Sequence, residues 1–190
     1  LSFWKRNPQS KIRPLLIKRL YPHLLHYNAP KQYGLMKMYY ENFLDDFDNP
    51  LTGLNIRLHN NQVILNYLNK DHQLSFEKDR YIEAIKAMLP DNFNSWTLLQ
   101  KNQFLEMKTL LSGYLLSSQG DRMSMAHSIE GRYPFLDHRV VEMLFYYPDK
   151  FKLNGFAQKY LLARTFAHAL PERIIRRPKK PYTAPDLKSF

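Results

Sequence analysis

The stretch QGDRMSMAHSIEGRYPFLDHRVVE, residues 119–142, is the most informative part of this chain for fold and chemistry. Within nineteen positions of this stretch, methionine, isoleucine, phenylalanine and leucine residues are interspersed with six charged ones. The charged residues are Asp121, Arg122, Glu130, Arg132, Asp137 and Arg139. Charged side chains are costly to bury unless they are paired. The stretch therefore predicts either a salt-bridge lattice that holds a turn or an ion-pair and ligand network at a cleft, and spacing alone leaves both open.

The rest of the chain shows mainly helical periodicity. Apolar residues recur at helical spacing over 12–24, 104–115 and 161–170. Asp137 is placed to cap a short helix over 140–145, and Pro148 stops it. The segment NQVILNYL, 61–68, is the best candidate for a β-strand. A seam near 91–94 separates two helical regions that could share one core. The predicted fold is a mainly α bundle with a loop-rich C-terminus.

Composition bounds the class of protein. Hydrophobic residues make up 44% of the 190 positions, which predicts a packed core rather than disorder. The chain has no cysteine, which excludes disulfides and thiolate metal sites and is typical of a reducing cytoplasm. No run of about 18 apolar residues occurs, so no transmembrane helix is predicted. The opening residues 1–11 also lack the apolar centre of a signal peptide.

The net charge of +11 fits nucleic acid, an anionic membrane or a phosphate-rich ligand, and equally a solvated surface. The six glycines form no glycine-rich phosphate loop. His127 and His138 flank Glu130 without the spacing of metal ligands, so no metal site is predicted in these residues.

A second basic cluster lies nearer the C-terminus. Lys159 opens an amphipathic helix, and Lys179 follows twenty residues later in ERIIRRPKKPY, 172–182, which holds five basic residues. A placed lysine can neutralise negative charge on phosphates. The same residues could instead compensate a helix dipole at its C-terminus and face solvent.

Residues 119–142 closely resemble the D-R-x-x-M-A-H-x-x-E-x-R-x-P-F-L-D-H segment of glutamine-dependent asparagine synthetases. Residues 152–182, KLNGFAQKYLLARTFAHALPERIIRRPKKPY, are similar to the K-Y-L-L-R, L-P and I-x-x-R-P-K block of that family, in the same order. The resemblance is specific over 105–182 and weak over 1–94. It implies that residues 1–190 are the mainly α, C-terminal helical portion of an adenine-nucleotide α-hydrolase-like (ATP pyrophosphatase) synthetase domain. The family's N-terminal glutaminase domain and its S-G-G-x-D-S nucleotide loop are absent from these residues.

The resemblance implies an ATP-dependent, glutamine-hydrolysing amidotransferase. Such an enzyme adenylates a carboxylate, aspartate or a related acceptor, and converts it to an amide with glutamine-derived ammonia, releasing AMP and pyrophosphate. The implied cofactors are ATP and Mg²⁺, bound mainly by the missing part. The implied setting is asparagine biosynthesis in the cytoplasm, beside the missing glutaminase domain and without a membrane partner. The resemblance leaves open whether the protein forms a homodimer. These 190 residues alone are expected to be inactive.

Four basic residues are carried over from the resemblance. Lys179 matches the family lysine that contacts the phosphates and stabilises developing charge, so it is the predicted catalytic residue. Lys159 matches the second family lysine, at the triphosphate. Arg122 and Arg132 match arginines of the central motif and are predicted to bind phosphate or ATP.

Two positions depart from the family pattern. Leu116 and Gln119 align with the aspartate and the arginine that help to bind the aspartate substrate in well-studied asparagine synthetases. A leucine cannot hold an α-ammonium group, and a glutamine is a weaker partner for a carboxylate than a bidentate arginine. These residues therefore predict an acceptor other than aspartate.

Two other classes compete with the enzyme reading. One is a stand-alone basic helical module that binds nucleic acid or protein, based on the charge of +11 and on RRPKK, 176–180. No recognised nucleic-acid motif is present, which makes nucleic acid the less favoured partner. The other is an inactive remnant that only packs or dimerises.

Overall fold

The computed structural model describes residues 2–10, 30–46, 48–73, 78–155 and 157–177. Most of this part of the chain is helical, which confirms the predicted mainly α class. The α-helices are α1 (Ser2–Arg6), α2 (Pro30–Glu41), α3 (Thr52–Leu65), α4 (Lys70–Gln73), α5 (Lys78–Lys86), α6 (Leu98–Glu106), α7 (Asp121–Ala126), α8 (His138–Tyr146), α9 (Asp149–Lys152), α10 (Tyr160–Thr165) and α11 (Glu172–Ile175). A π-helix spans Met107–Gln119, 3₁₀ turns span Phe93–Ser95 and Pro134–Leu136, and β1 (Leu153–Asn154) pairs antiparallel with β2 (Ala157–Gln158).

The main hydrophobic core is built by α3, α5, α6 and the 3₁₀ turn at Phe93–Ser95. Leu54, Ile85 and Leu105 are each only 1% exposed, and burial of each such side chain contributes about 1.5–3 kcal/mol. The buried members are Leu51, Leu54, Leu58, Ile85, Phe93 and Leu105. Phe93 lies in the seam predicted near 91–94, so the helical regions on its two sides share one core.

A smaller cluster joins the first two helices. Trp4 of α1 packs with Met36 and Tyr40 of α2, and all three side chains are buried. An ion pair of 2.6 Å between Lys5 Nζ and Asp48 Oδ2 adds a second link to the same region. The helix predicted over 12–24 lies outside the described residues.

The strand predicted over 61–68 is wrong, because 61–65 complete α3 and a turn follows. The β-branched pair Val63 and Ile64 favoured a strand locally. Both side chains stay largely exposed, whereas Leu54 and Leu58, one turn apart on the same helix, are buried in the core. The burial of that earlier face therefore decides the conformation of the whole segment.

The helix α6 begins at a capping box. Thr97 Oγ1 accepts a hydrogen bond from Gln100 N at 3.2 Å, and Gln100 Oε1 accepts one from Thr97 N at 2.9 Å. The helix then passes directly into the π-helix at Met107, where backbone bonds reach five residues along the chain. The prediction of a helix over 104–115 is confirmed, with a wider backbone spiral after Glu106.

The helices α3 and α6 pack against each other, and a salt bridge closes their contact. Both Nη2 contacts of Arg57 reach the Glu106 carboxylate, at 2.6 and 2.7 Å, and Arg57 Nη1 lies 3.4 Å from Thr109 Oγ1. This contact fixes the junction between α6 and the π-helix against α3.

The predicted end signals around α8 are confirmed. Asp137 is the N-cap residue, and the helix ends at Tyr146, two residues before Pro148. The helix predicted over 161–170 is shorter in the structure, because α10 ends at Thr165. Beyond it, the backbone N–H groups of Ala167 and Ala169 each bond three residues back rather than four, which tightens the chain into turns.

Candidate functional site

The motif segment, residues 119–142, begins where Gly120 separates the π-helix from α7. Its backbone angles, φ −118° and ψ −110°, end the π-helix, and α7 then packs back against that helix. A Cβ atom at Gly120 would lie 2.9 Å from the carbonyl oxygen of Leu115. This close approach requires glycine and sets the entry to α7, which carries Asp121 and Arg122.

Arg122 is exposed on α7. Within the described ranges its guanidinium forms no hydrogen bond and no ion pair. An arginine in that state retains all five N–H donors for an anion. The phosphate-binding role that the resemblance implies for Arg122 stays a prediction.

Arg132 is held by a surface ion pair. Its Nη2 atom lies 2.6 Å from Glu130 Oε1, and the two side chains are 82% and 65% exposed. Exposed pairs of this kind are worth only about 0–1 kcal/mol. Glu130 can therefore orient Arg132 without keeping it from an anionic ligand.

Lys159 follows the small β-hairpin as the N-cap of α10. Its backbone is left-handed, with φ 54° and ψ 35°, and its side chain is exposed. A non-glycine residue in this conformation costs on the order of 1–2 kcal/mol. Strained backbone conformations of this kind cluster at functional sites. The left-handed backbone of Lys159 is therefore in keeping with a functional position, and its predicted phosphate contact stays a prediction.

Asp137 is engaged in holding the start of α8. Its Oδ1 atom accepts hydrogen bonds from Arg139 N at 2.9 Å and Arg139 Nε at 3.0 Å, and Oδ2 accepts one from Nη2 at 2.7 Å. The side-chain bond from Arg139 is the main cause that lowers the pKa of Asp137 to about 2. A carboxylate this acidic stays ionised as a cap and is a poor general base near neutral pH.

Leu116 and Gln119 lie on the last turns of the π-helix. Leu116 is half-buried, whereas Gln119 is exposed and donates a hydrogen bond from Nε2 to Tyr114 Oη at 2.5 Å. Tyr114 was not among the predicted site residues. It meets Gln119 because residues five apart lie one above the other in a π-helix, whereas α-helical spacing pairs residues three or four apart.

The described contacts do not join the predicted basic residues to one another. No hydrogen bond or ion pair links Arg122, Arg132 and Lys159 in the part of the chain that the structure describes. Lys179 lies outside the described residues, so its predicted catalytic role stays a prediction.

The available side chains suit an anion better than a cation. Among the described residues, no group of three or more His, Asp or Glu side chains is placed to hold a metal ion. Exposed arginine and lysine side chains instead offer N–H donors to anions such as phosphate. None of the described helices has the length and apolar character needed to cross a membrane.

The motif segment is attached to the core through α6, a contact that the sequence did not signal. The Phe145 ring of α8 meets Trp96 edge to face, with ring centroids 4.8 Å apart. Gln100 Nε2 donates to the Phe145 carbonyl oxygen at 3.0 Å. These contacts place α8, and the motif before it, against the N-terminus of α6.

The chain matches the family described as Asparagine synthase over residues 2–190. It is 33% identical over 132 residues to asparagine synthetase [glutamine-hydrolyzing] 1 of Bacillus subtilis, covering 57% of this chain and 21% of that protein. It is 40% identical over 67 residues to asparagine synthetase [glutamine-hydrolyzing] 3 of the same organism, covering 35% and 11%. Amidase chyE of Penicillium rubens is 30% identical over 111 residues, covering 55% and 16%.

The matched regions thus span only 11% to 21% of the length of these relatives. No solved structure matches the chain significantly. The mainly helical architecture agrees with the prediction of a helical portion of an adenine-nucleotide α-hydrolase-like domain.

Proposed function

Because the chain belongs to the asparagine synthase family, we propose that it forms the helical, phosphate-facing part of an ATP-dependent, glutamine-hydrolysing amidotransferase. The enzyme adenylates a carboxylate with release of pyrophosphate, and glutamine-derived ammonia then displaces AMP to give an amide. The observation that carries the proposal is the family match across 2–190, together with two motif blocks in order on α7–α8 and on the hairpin before α10.

In this proposal the basic side chains bind and polarise the phosphates. When bound, ATP would supply the adenylyl group, and Mg²⁺ would be held mainly by the rest of the domain. Lys159 and Arg122, which are both exposed, bind the phosphate oxygens, and Arg132, which is ion-paired with Glu130, is the third cation of the set. Lys179 stabilises the charge that develops on the departing group. Fixed cations aimed at developing charge are among the strongest contributions to catalysis.

The acceptor is proposed to be a carboxylate other than aspartate. Leu116 offers no charge to an α-ammonium group, and the amide of Gln119 is already bonded to Tyr114 Oη. One of the relatives that the chain matches, Amidase chyE, does not carry the name of an asparagine synthetase, which is consistent with a substrate other than aspartate.

The proposal is tested on the longest native protein that contains this chain. Pyrophosphate release is measured with glutamine, Mg-ATP and a panel of carboxylates. The expected result is release that depends on a carboxylate, with aspartate a poor acceptor. Efficient conversion of aspartate to asparagine would refute the shifted acceptor, and no carboxylate-dependent release with any acceptor would argue against the amidotransferase. In the same assay, Lys159→Ala is expected to slow carboxylate-dependent pyrophosphate release.

A binding module is the second candidate, favoured by one specific observation. Residues 149–177 hold seven basic and only two acidic residues, and every basic side chain except that of Lys152 is exposed, which gives a basic surface suited to an anionic polymer. The test is the affinity for random oligonucleotides between about 50 and 200 mM salt, a range over which phosphate-driven binding weakens by orders of magnitude. Weak binding that does not change with salt would exclude nucleic acid, and the enzyme proposal predicts that result.

A further inference from the structure

We infer that Lys152 is a positioning residue, whose largely enclosed side chain ties the hairpin before Lys159 to α6. Through this link, Lys152 sets where Lys159 stands relative to the core. The inference rests on the proposed function only for the ligand of Lys159. The anchoring of the hairpin stands on the contacts of Lys152 itself.

The side chain of Lys152 is only 8% exposed, although lysine is rarely buried without partners. Its Nζ atom lies 3.2 Å from the Phe145 carbonyl oxygen, 3.4 Å from Gln103 Oε1 and 3.4 Å from Asp149 Oδ1. Two of these contacts are hydrogen bonds to acceptors on α8 and α6, and the third is an ion pair with Asp149 of α9, the helix that also contains Lys152. One side chain of α9 therefore ties this helix to α6 and α8.

Phe145, which provides one acceptor for Lys152, is itself held in place. The Phe145 carbonyl oxygen also accepts a hydrogen bond from Gln100 Nε2 at 3.0 Å. The Phe145 ring packs edge to face on Trp96, and Lys152 Nζ lies 5.8 Å from the centroid of the same ring. Trp96 in turn packs against the main core. The base of the hairpin is therefore connected to the core by short, specific contacts.

Lys152 is the last residue of α9, and β1 begins at the next position. The strands β1 and β2 have two residues each, paired through Leu153 with Gln158 and through Asn154 with Ala157. Lys159 follows immediately, and α10 packs back on α9. A two-stranded ribbon of this size is not stable on its own in water. The ribbon must therefore be held in place by the residues at its two ends, and Lys152 anchors the end that leads into β1.

The contacts of the Lys152 ammonium group do not leave it available to bind a phosphate ligand directly. Its Nζ atom already donates to two protein acceptors and forms an ion pair with Asp149, and the side chain is only 8% exposed. Lys159, in contrast, is exposed seven positions later. The geometry therefore assigns positioning to Lys152 and ligand contact to Lys159.

The first test compares Lys152→Met with Lys150→Met in the 190-residue chain by hydrogen–deuterium exchange. Both variants lose one positive charge, but Lys150 is exposed and makes a cation–π contact with the neighbouring Phe151 ring, 5.3 Å from its centroid. The expected result is at least about tenfold faster exchange of the amides of 153–160 in Lys152→Met, and wild-type exchange in Lys150→Met. Wild-type exchange in Lys152→Met would overturn the inference.

A second variant keeps the test decisive if Lys152→Met unfolds, which far-UV circular dichroism would report. Gln103→Leu removes the acceptor on α6 without changing the hairpin or the charge. The expected result is faster exchange over 153–160 while the amides of α3 keep wild-type protection. Unchanged exchange over 153–160 in this variant would also overturn the inference.

In the longest native protein containing the chain, Lys152→Met is expected to raise the KM for ATP about tenfold with a smaller effect on kcat, because Lys159 is displaced rather than removed. Lys152→Arg should recover part of the loss. A lower kcat with unchanged KM would argue against positioning. If Lys159→Met leaves the KM for ATP unchanged, the phosphate role of Lys159 fails, while hydrogen exchange still judges the anchoring by Lys152.

Discussion

The close approach of α3 to α6 depends on the absence of a side chain at Gly53. A Cβ atom at this position would lie 2.1 Å from Asn102 Oδ1 and 2.8 Å from Asn102 Cγ. The Oδ1 atom is buried and has no hydrogen-bond partner among the described residues. Gly53→Ala would therefore force the Asn102 side chain, or the helix that carries it, to move.

The magnitude is a balance of two opposing effects. Overpacking of this kind costs about 1–3 kcal/mol. Replacing a helical glycine with alanine returns up to about 1 kcal/mol, and less here because Gly53 is the second residue of α3. The expected net loss is about 1–2 kcal/mol of unfolding free energy. For a chain of this size, each kcal/mol lowers Tm by about 2–4 °C.

The assay is urea unfolding followed by tryptophan fluorescence, with a double-mutant cycle. In an Asn102→Ala background the clashing oxygen is gone, so Gly53→Ala should be neutral or stabilising. The coupling free energy should then be at least about 1 kcal/mol. Gly34→Ala in α2 is the matched control, because no described atom lies within 4 Å of its Cβ position, and it should stabilise. Equal losses from Gly53→Ala in both backgrounds would refute the steric reasoning.

Three further predictions concern chemistry and pH. Lys179→Ala in the longest native protein should slow amide formation by about 10²–10³ while glutamine hydrolysis survives, and equal loss of both would indicate misfolding instead. The 190-residue chain alone should show no ATP–pyrophosphate exchange, and steady exchange by the pure chain would contradict this. The pKa of Asp137 falls from 3.8 to about 2 on folding, chiefly through Arg139, so its stabilising effect is complete above about pH 4 and is lost as the pH falls toward 2. The Tm difference between wild type and Asp137→Asn should therefore shrink between pH 5 and 2, and a constant difference would argue against the ionised cap.

The features that the sequence predicted correctly are local ones. The cap at Asp137 and the end of α8 before Pro148 each depend on residues within a few positions, and both are present. Whether the helical regions on the two sides of 91–94 share one core was left open by the sequence, and it is the burial of Phe93 with Leu54 and Leu105 that shows one core. The strand expected at 61–68 failed because a local β preference is weaker than the burial of Leu54 and Leu58.

The contacts that hold the candidate site were beyond reach of sequence patterns. The pairing of Trp96 with Phe145 joins residues far apart in the chain, and no periodicity encodes it. The bond between Gln119 and Tyr114 depends on the wider π spiral, which apolar spacing did not distinguish from an α-helix. Lys152 carries the same charge as its exposed neighbour Lys150, and only the tertiary structure shows which of them is buried.

The buried hydrophobic residues of the described chain all lie at or before Leu105, whereas the motif residues lie after it. The motif segment therefore has no core of its own and depends on its attachment to α6, in which Phe145 is central. Phe145→Ala removes the ring contact with Trp96, worth about 0.5–1.5 kcal/mol beyond area burial. Because the core residues are untouched, hydrogen exchange should accelerate over 138–165 while α3 and α6 keep wild-type protection. Equal loss of protection in all of these helices would mean that the motif segment and the core unfold as one unit, and that the attachment is not an independent step.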